Sequence, residues 1–245
     1  MNNHKIELIP PTKPEDINVV QSKTRGILKY AINGKNALTD YVAENKIPYV
    51  INRIKLFELS LSKSRPDGLF IEFGVYVGGT INTIAKIVPN IKIYGLDTFE
   101  GFPEDYTDGL RKGSCKCEIP KVPNNVTLIK GLIEDTLPVL LDTEKKNISF
   151  LHIDCDLYSA TKSVFDNCAK YIISGTVIQF DELFELMNYE GDGKSWWWTH
   201  ELDAWNEFVE KYKVKFTWLG STGCQASVII DKITHKTKKN EKRIS

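Results

Sequence analysis

The residues of this chain that could do chemistry stand where short apolar runs end. One run closes as Glu72-Phe-Gly-Val-Tyr-Val-Gly-Gly-Thr80, and a second closes at Asp97. Gly74 lets the backbone leave the first run sharply and approach a ligand closely. Gly78 and Gly79 then open the next helix. An acid about 20 residues beyond such a turn is placed to accept hydrogen bonds from ribose hydroxyls, and Asp97 has that place. The pattern predicts an adenosyl ligand at the first strand-to-helix turn. A dinucleotide pyrophosphate requires a glycine at the middle of G-x-G-x-x-G, where this chain has Tyr76. Glu72 would also repel a pyrophosphate, whereas it suits a cationic amino-acid group such as the methionyl part of S-adenosylmethionine. Glu72, Gly74, Val75, Tyr76, Gly78, Thr80, Asp97, Thr98 and Phe99 are therefore the expected cofactor wall. A tight structural turn without a ligand is the plainer alternative.

Two further runs end in acids, His152-Ile-Asp-Cys-Asp-Leu-Tyr-Ser159 and Gln179-Phe-Asp-Glu182. Asp154, Asp156, Asp181 and Glu182 should converge on one edge. Carboxylates so close repel unless protons or a cation intervene. A hard oxygen donor set suits Mg²⁺, which would hold a substrate hydroxyl and lower its pKa. Otherwise one or two of the acids cap the next helix and the rest are solvated. Asp156, just before a helix starting near Ser159, fits that second account. Glu134 follows the third run, where it either accepts from the adenine amine or favours a helix start. Trp196-Trp-Trp198 reads as a lid over the substrate pocket or as a docking or dimer contact. His152 belongs to the core by its place in a strand, and His200 is a candidate general base.

Positioning such residues needs alternating strands and helices. Strands are expected at 68–74, 92–97, 125–130, 148–154 and 175–181, with helices over 80–88, 133–141, 159–171 and 201–212 and final strands at 214–219 and 226–230. That alternation predicts an α/β fold: a doubly wound, mostly parallel seven-stranded sheet whose ligands sit beyond the carboxyl ends of the strands. The apolar spacing of Val42, Ile47, Ile51, Ile54, Leu56 and Leu59 predicts helix over much of 16–61, with Pro48 starting a new one. Residues 1–62 are then an N-terminal arm and helical cap, 63–234 the main domain and 235–245 a basic flexible tail.

Lys plus Arg and Asp plus Glu each number 32 in 245 residues, for a net charge of zero. That balance favours neither nucleic acid nor a membrane surface, and no apolar run reaches spanning length. A small-molecule partner is the expectation. The 5 cysteines have no framework spacing and read as reduced thiols of a cytoplasmic protein.

With these motifs assembled, the chain resembles the macrocin O-methyltransferase family of class I methyltransferases. The resemblance rests on Glu72 to Thr80, Gly95-Leu-Asp-Thr-Phe-Glu-Gly-Phe-Pro103, Lys130-Gly-Leu-Ile-Glu-Asp-Thr-Leu-Pro138, Leu151-His-Ile-Asp-Cys-Asp-Leu-Tyr158 and Phe180-Asp-Glu182. It covers roughly residues 65 to 185. It implies S-adenosylmethionine as methyl donor, Asp97 on the ribose, Glu72 and Gly74 at the methionyl group, and a magnesium site of Asp154, Asp181 and Glu182. It also fits homo-oligomers, such as a homodimer, formed through the N-terminal helices. Two departures stand out. Glu182 replaces the usual aspartate. The insert from Glu104 to Val122 is short and lacks the histidine of the antibiotic-sugar members, so a macrolide-sugar substrate does not carry over.

The leading expectation is methyl transfer to an oxygen of a sugar or other small hydroxylated metabolite, with Asp154 and Asp181 holding an ion or taking the proton. A nicotinamide-dependent oxidoreductase or epimerase is the rival; Tyr76 and Glu72 argue against it, and Tyr158 and Lys162 match Tyr-x-x-x-Lys but at the start of the helix, too early for the oxidoreductase pair. A non-catalytic adenosyl-binding protein is the third possibility.

Overall fold

The computed structural model describes residues 42, 45–106, 110–184 and 200–235. The order of elements is α1 (Arg53–Lys63), β1 (Leu69–Phe73), α2 (Gly79–Ile87), β2 (Ile93–Asp97), β3 (Val126–Lys130), α3 (Ile133–Glu144), β4 (Ile148–Ile153), α4 (Tyr158–Cys168), β5 (Val177–Phe180), α5 (Glu201–Tyr212), β6 (Lys215–Ser221) and β7 (Ala226–Lys232). Seven strands form one sheet in the order β3-β2-β1-β4-β5-β7-β6. The first five neighbours pair in parallel, and β7 runs antiparallel to both β5 and β6. The expected mostly parallel doubly wound sheet is thus the fold found.

The central strands form because they are apolar almost throughout. Every residue of β1, β4 and β5 is buried, as a parallel sheet covered on both faces requires. Leu69, Ile71, Phe73, Leu151 and Phe180 face a core completed by Phe165 of α4 and Trp205 and Phe208 of α5. Phe70, Phe150 and Val177 face the opposite side, where Phe57 and Leu61 of α1 and Ile81 and Ile84 of α2 cover them. Burying each such side chain contributes about 1.5–3 kcal/mol.

The second face is not wholly apolar. Glu72, His152, Gln179 and Ser227 lie in register across β1, β4, β5 and β7, and all four are fully buried. Helix α1 packs over this polar row. Ser60 Oγ donates to Ser227 Oγ at 2.7 Å, and the Phe57 ring meets His152 edge-on at 4.9 Å.

The start of α1 corrects one expectation. Pro48 does not begin a helix. Residues 47–50 run extended along the edge of the sheet, with Tyr49 bridged to Ser221, Val50 N donating to Ser221 O and Ser221 N donating to Pro48 O. Proline biases the residue before it toward extended backbone, and a free sheet edge supplies partners for such a chain. The helix begins at Arg53 because the Asn52 side chain accepts from Lys55 N at 3.0 Å. Ile51 and Ile54, expected on a buried helix face, are exposed. The remainder of the expected N-terminal cap, the Trp196–Trp198 stretch and the basic segment from Lys236 lie outside the described residues.

The carboxyl ends of β1 and β4 are pressed together. Gly74 has φ +82°, and a Cβ there would lie 1.7 Å from the Asp154 carbonyl oxygen. Gly74→Ala should therefore destabilise the protein by roughly 2 kcal/mol or more, from positive-φ strain plus a backbone clash. Denaturant midpoints of the two proteins measure this. An unchanged midpoint would show that the strand ends are free to part.

Candidate active site

A cleft of about 720 Å³ opens over the carboxyl ends of β1, β2 and β4, at the point where strand order reverses. That is where open α/β sheets bind ligands, and the volume suits a molecule of drug size. Gly74, Val75, Tyr76, Thr80, Asp97, Thr98, Glu134, Asp154 and Asp181 line it, as the sequence led one to expect. Arg53, Cys115 and Asp156 line it too. Four expected contributors, Glu72, Gly78, Phe99 and Glu182, are not part of that lining.

Asp97 closes β2 and stitches the first turn together. Its Oδ2 accepts from Val75 N at 2.8 Å and Tyr76 N at 2.7 Å, and its Oδ1 accepts from Phe99 N at 2.7 Å. A carboxylate has about four acceptor positions, so one on Oδ1 is left for a ligand in the cleft. These bonds hold Tyr76 at φ +48° and Phe99 at φ +56°. Tyr76 thus crowns the turn where a pyrophosphate would need bare backbone. Phe99 is buried in the core on the α1 and α2 side, which is why it does not reach the cleft. Gly78, at φ +83°, is the N-cap of α2. Glu134 lines the cleft and lies in the first turn of α3.

Glu72 does not face a ligand. Its Oε1 accepts from Thr80 Oγ1 at 3.0 Å, and its Oε2 lies 3.0 Å from His152 Nδ1. His152 Nε2 in turn is 3.6 Å from Asp181 Oδ1, within ion-pair range. Burial of the ring opposes its protonation, but Asp181 and Glu72 on its two sides outweigh that and raise His152 to about 10. His152 is in the core as expected, but as a cation between carboxylates. The signal was in the register: Glu72 and His152 are adjacent across β1 and β4 and share one face.

Asp181 is the hub. Gln225 Nε2 donates to its Oδ1 at 2.7 Å, and Arg53 Nη2 reaches the same oxygen at 2.5 Å. Arg53 Nη2 also donates to Asp154 Oδ2 at 3.2 Å. Burial alone would raise Asp181, but His152, Glu182 and Arg53 prevail and bring it to about 2. Asp154 goes the other way, raised well above the ordinary carboxylate value by burial and by the charge of Asp181. Asp156 is raised to about 6 by burial and by Asp181. It does not cap α4, whose N-cap is Leu157. Burial likewise raises Glu182 and Glu201, and Glu201 Oε2 accepts from Glu182 N at 3.2 Å.

The donor set fits a divalent cation poorly. Asp154 and Asp181 come together with His152 rather than with Glu182. Arg53 already bridges the two carboxylates. At the expected magnesium site of Asp154, Asp181 and Glu182, an arginine cation stands between the first two.

The remaining expected residues are elsewhere. His200 packs edge-on against Tyr106 at 4.7 Å, and burial lowers its pKa. Tyr158 donates to Glu207, and Lys162 pairs with Asp166 and Glu207 away from the cleft. Neither residue of the Tyr158–Lys162 match lines the cleft. All five cysteines are free thiols. No helix among the described residues is long and apolar enough to cross a membrane.

Comparison with known proteins agrees with the fold. Residues 71–183 match a family model described as a methyltransferase domain. Among solved structures, the calicheamicin methyltransferase CalS11 is similar with 20% identity and a TM-score of 0.54, covering 91% of this chain and 95% of its own. The O-methyltransferase NovP is similar with 17% identity and a TM-score of 0.54, covering 73% and 78%. This is the class I methyltransferase fold. No curated protein matches the chain. Arg53 and Asp181 line the cleft, and His152 and Glu72 lie buried behind Asp181.

The buried imidazolium makes stability depend on pH with a definite sign. A histidine raised from about 6.5 to about 10 on folding stabilises fully below the lower value and loses that stabilisation as pH rises toward the upper one. Between pH 7 and 9 the wild type should lose up to about 1.4 kcal/mol per pH unit. His152→Gln should be less stable at pH 7 but should show a flatter dependence. Urea denaturation at several pH values measures both slopes, and equal slopes would exclude a charged His152.

Proposed function

We propose that this chain transfers a methyl group from S-adenosylmethionine to a hydroxyl oxygen of a small molecule, such as a sugar or a related hydroxylated metabolite. The observation that carries the reading is the cleft at the strand-order switch, with Asp97 offering one acceptor position and Tyr76 crowning the turn. An adenosyl group bound to an amino acid fits those features; a dinucleotide does not. Glu134, in the first turn of α3, lies where an adenine amine would be met. The name of the similar structure NovP, an O-methyltransferase, agrees with oxygen as the acceptor. The motifs shared with the macrocin O-methyltransferases favour a hydroxyl of sugar type.

Asp154 is the proton acceptor in this reading. It faces the cleft, and its raised affinity for a proton suits a base. A lone pair of the acceptor oxygen forms the new O–C bond. The C–S bond breaks with its electron pair going to sulfur, which gives neutral S-adenosylhomocysteine. The hydroxyl proton passes to Asp154. Asp181, pinned low by its cationic neighbours, stays ionised and fixes the geometry around Asp154. Much of the acceleration comes from alignment of oxygen, methyl and sulfur.

Calorimetric titration with S-adenosylmethionine, S-adenosylhomocysteine and NAD should give micromolar binding of the two sulfur compounds and none of NAD. Binding of NAD alone would overturn the reading. Labelled methyl transfer to a panel of sugars and sugar nucleotides should then identify an acceptor. Asp154→Asn should lower that transfer by about 10²–10⁴-fold, the usual range for a lost general base. Its affinity for S-adenosylhomocysteine should stay within a few-fold of wild type. Undiminished transfer by Asp154→Asn would remove the assigned base.

A further inference from the structure

We infer that Arg53 takes the place of a divalent cation at this centre, so that the site works without a metal and the guanidinium holds the acceptor oxygen. The inference rests on the methyl-transfer reading and adds to it the identity of the positioning cation.

Three observations carry it. Arg53 Nη2 contacts both carboxylates a metal would need, Asp181 at 2.5 Å and Asp154 at 3.2 Å. The nearest third donor, His152, has its Nδ1 on Glu72, and its Nε2 lies 3.6 Å from Asp181 Oδ1. Arg53 also lines the cleft, and its Nε is buried with no hydrogen-bond partner. A buried unpaired N–H beside a ligand cleft is costly unless a ligand accepts from it. The Phe57 ring supports the guanidinium from below, 6.0 Å from its carbon. Arg53 can therefore donate to an acceptor hydroxyl while its Nη2 stays on the two aspartates. A second positive charge at the same two oxygens would meet an arginine that cannot be deprotonated away.

The test uses Mn²⁺ as probe on the full-length protein, read by the loss of the free-ion resonance signal. Wild type should show no one-equivalent Mn²⁺ site below about 1 mM. Binding of S-adenosylhomocysteine should change less than about twofold with EDTA. Arg53→Met, which removes the charge and keeps the bulk, should gain a one-equivalent Mn²⁺ site at least tenfold tighter than any wild-type binding. Adding Asp181→Asn should abolish that site. One equivalent of Mn²⁺ on wild type, removed by Asp181→Asn, would overturn the inference. So would a folded Arg53→Met protein that gains no site. If Arg53→Met does not fold, as its circular dichroism would show, the wild-type titration decides by itself. Failure of S-adenosylhomocysteine to bind would sink the methyl-donor reading and leave the Mn²⁺ result standing.

Discussion

Everything at this site depends on one buried cation between two carboxylates. His152 is fully buried, with Glu72 on one side and Asp181 on the other. Bringing three ionisable groups out of water is expensive, and only mutual pairing makes it tolerable. Removing any one of them leaves a buried charge without its partner. The row also specifies how the sheet is covered. Helix α1 is the element that can pack over Glu72, His152, Gln179 and Ser227, because it presents Phe57 to the imidazole, Ser60 to Ser227 and Arg53 to Asp181. A purely apolar face would accept many helix positions, whereas a polar row with three matched partners accepts few.

A second constraint fixes the opposite wall of the cleft. Asp97 gathers three backbone N–H groups from two loops, and Gly74 allows the strand ends to touch. The positive backbone angles of Tyr76 and Phe99 are held by these bonds. The turn is thereby built before any ligand arrives, and a preformed site binds without the cost of ordering its loops.

The strands could be read from sequence because parallel strands are near-continuous apolar runs, and β1, β4 and β5 are apolar but for Glu72, Ser149, His152 and Gln179. Asp97, Asp154 and Asp181 could be placed because they end such runs. What could not be read is what reaches those ends from distant parts of the chain. Arg53 lies 101 residues before Asp154, on a helix whose start was obscured by Pro48 and by isoleucines that proved exposed. Glu72 was taken for a ligand contact because its position beside the turn is visible in sequence, while its partner His152 is visible only in the register of β1 on β4. Glu182 follows Asp181 directly, yet adjacent residues at a strand end point in different directions. One lines the cleft, and the other is buried beside it with its backbone N–H on Glu201.

The two aspartates at the cleft illustrate how neighbours divide identical groups into different roles. Asp181 is surrounded by donors: Gln225, Arg53 and the His152 ring, with Glu182 adding to them. It is held to about 2 and stays a charge at any ordinary pH. Asp154 shares only Arg53 and feels Asp181 as a repelling neighbour, so its proton affinity rises. Two carboxylates with separated affinities are the arrangement expected where one group fixes geometry and the other moves a proton. The separation depends on Arg53, which attracts both but lies closer to Asp181. Since Arg53 belongs to α1 and both aspartates belong to the sheet, docking of α1 sets the charge state of the site. Any change that shifts this helix along the polar row would alter the chemistry as well as the packing.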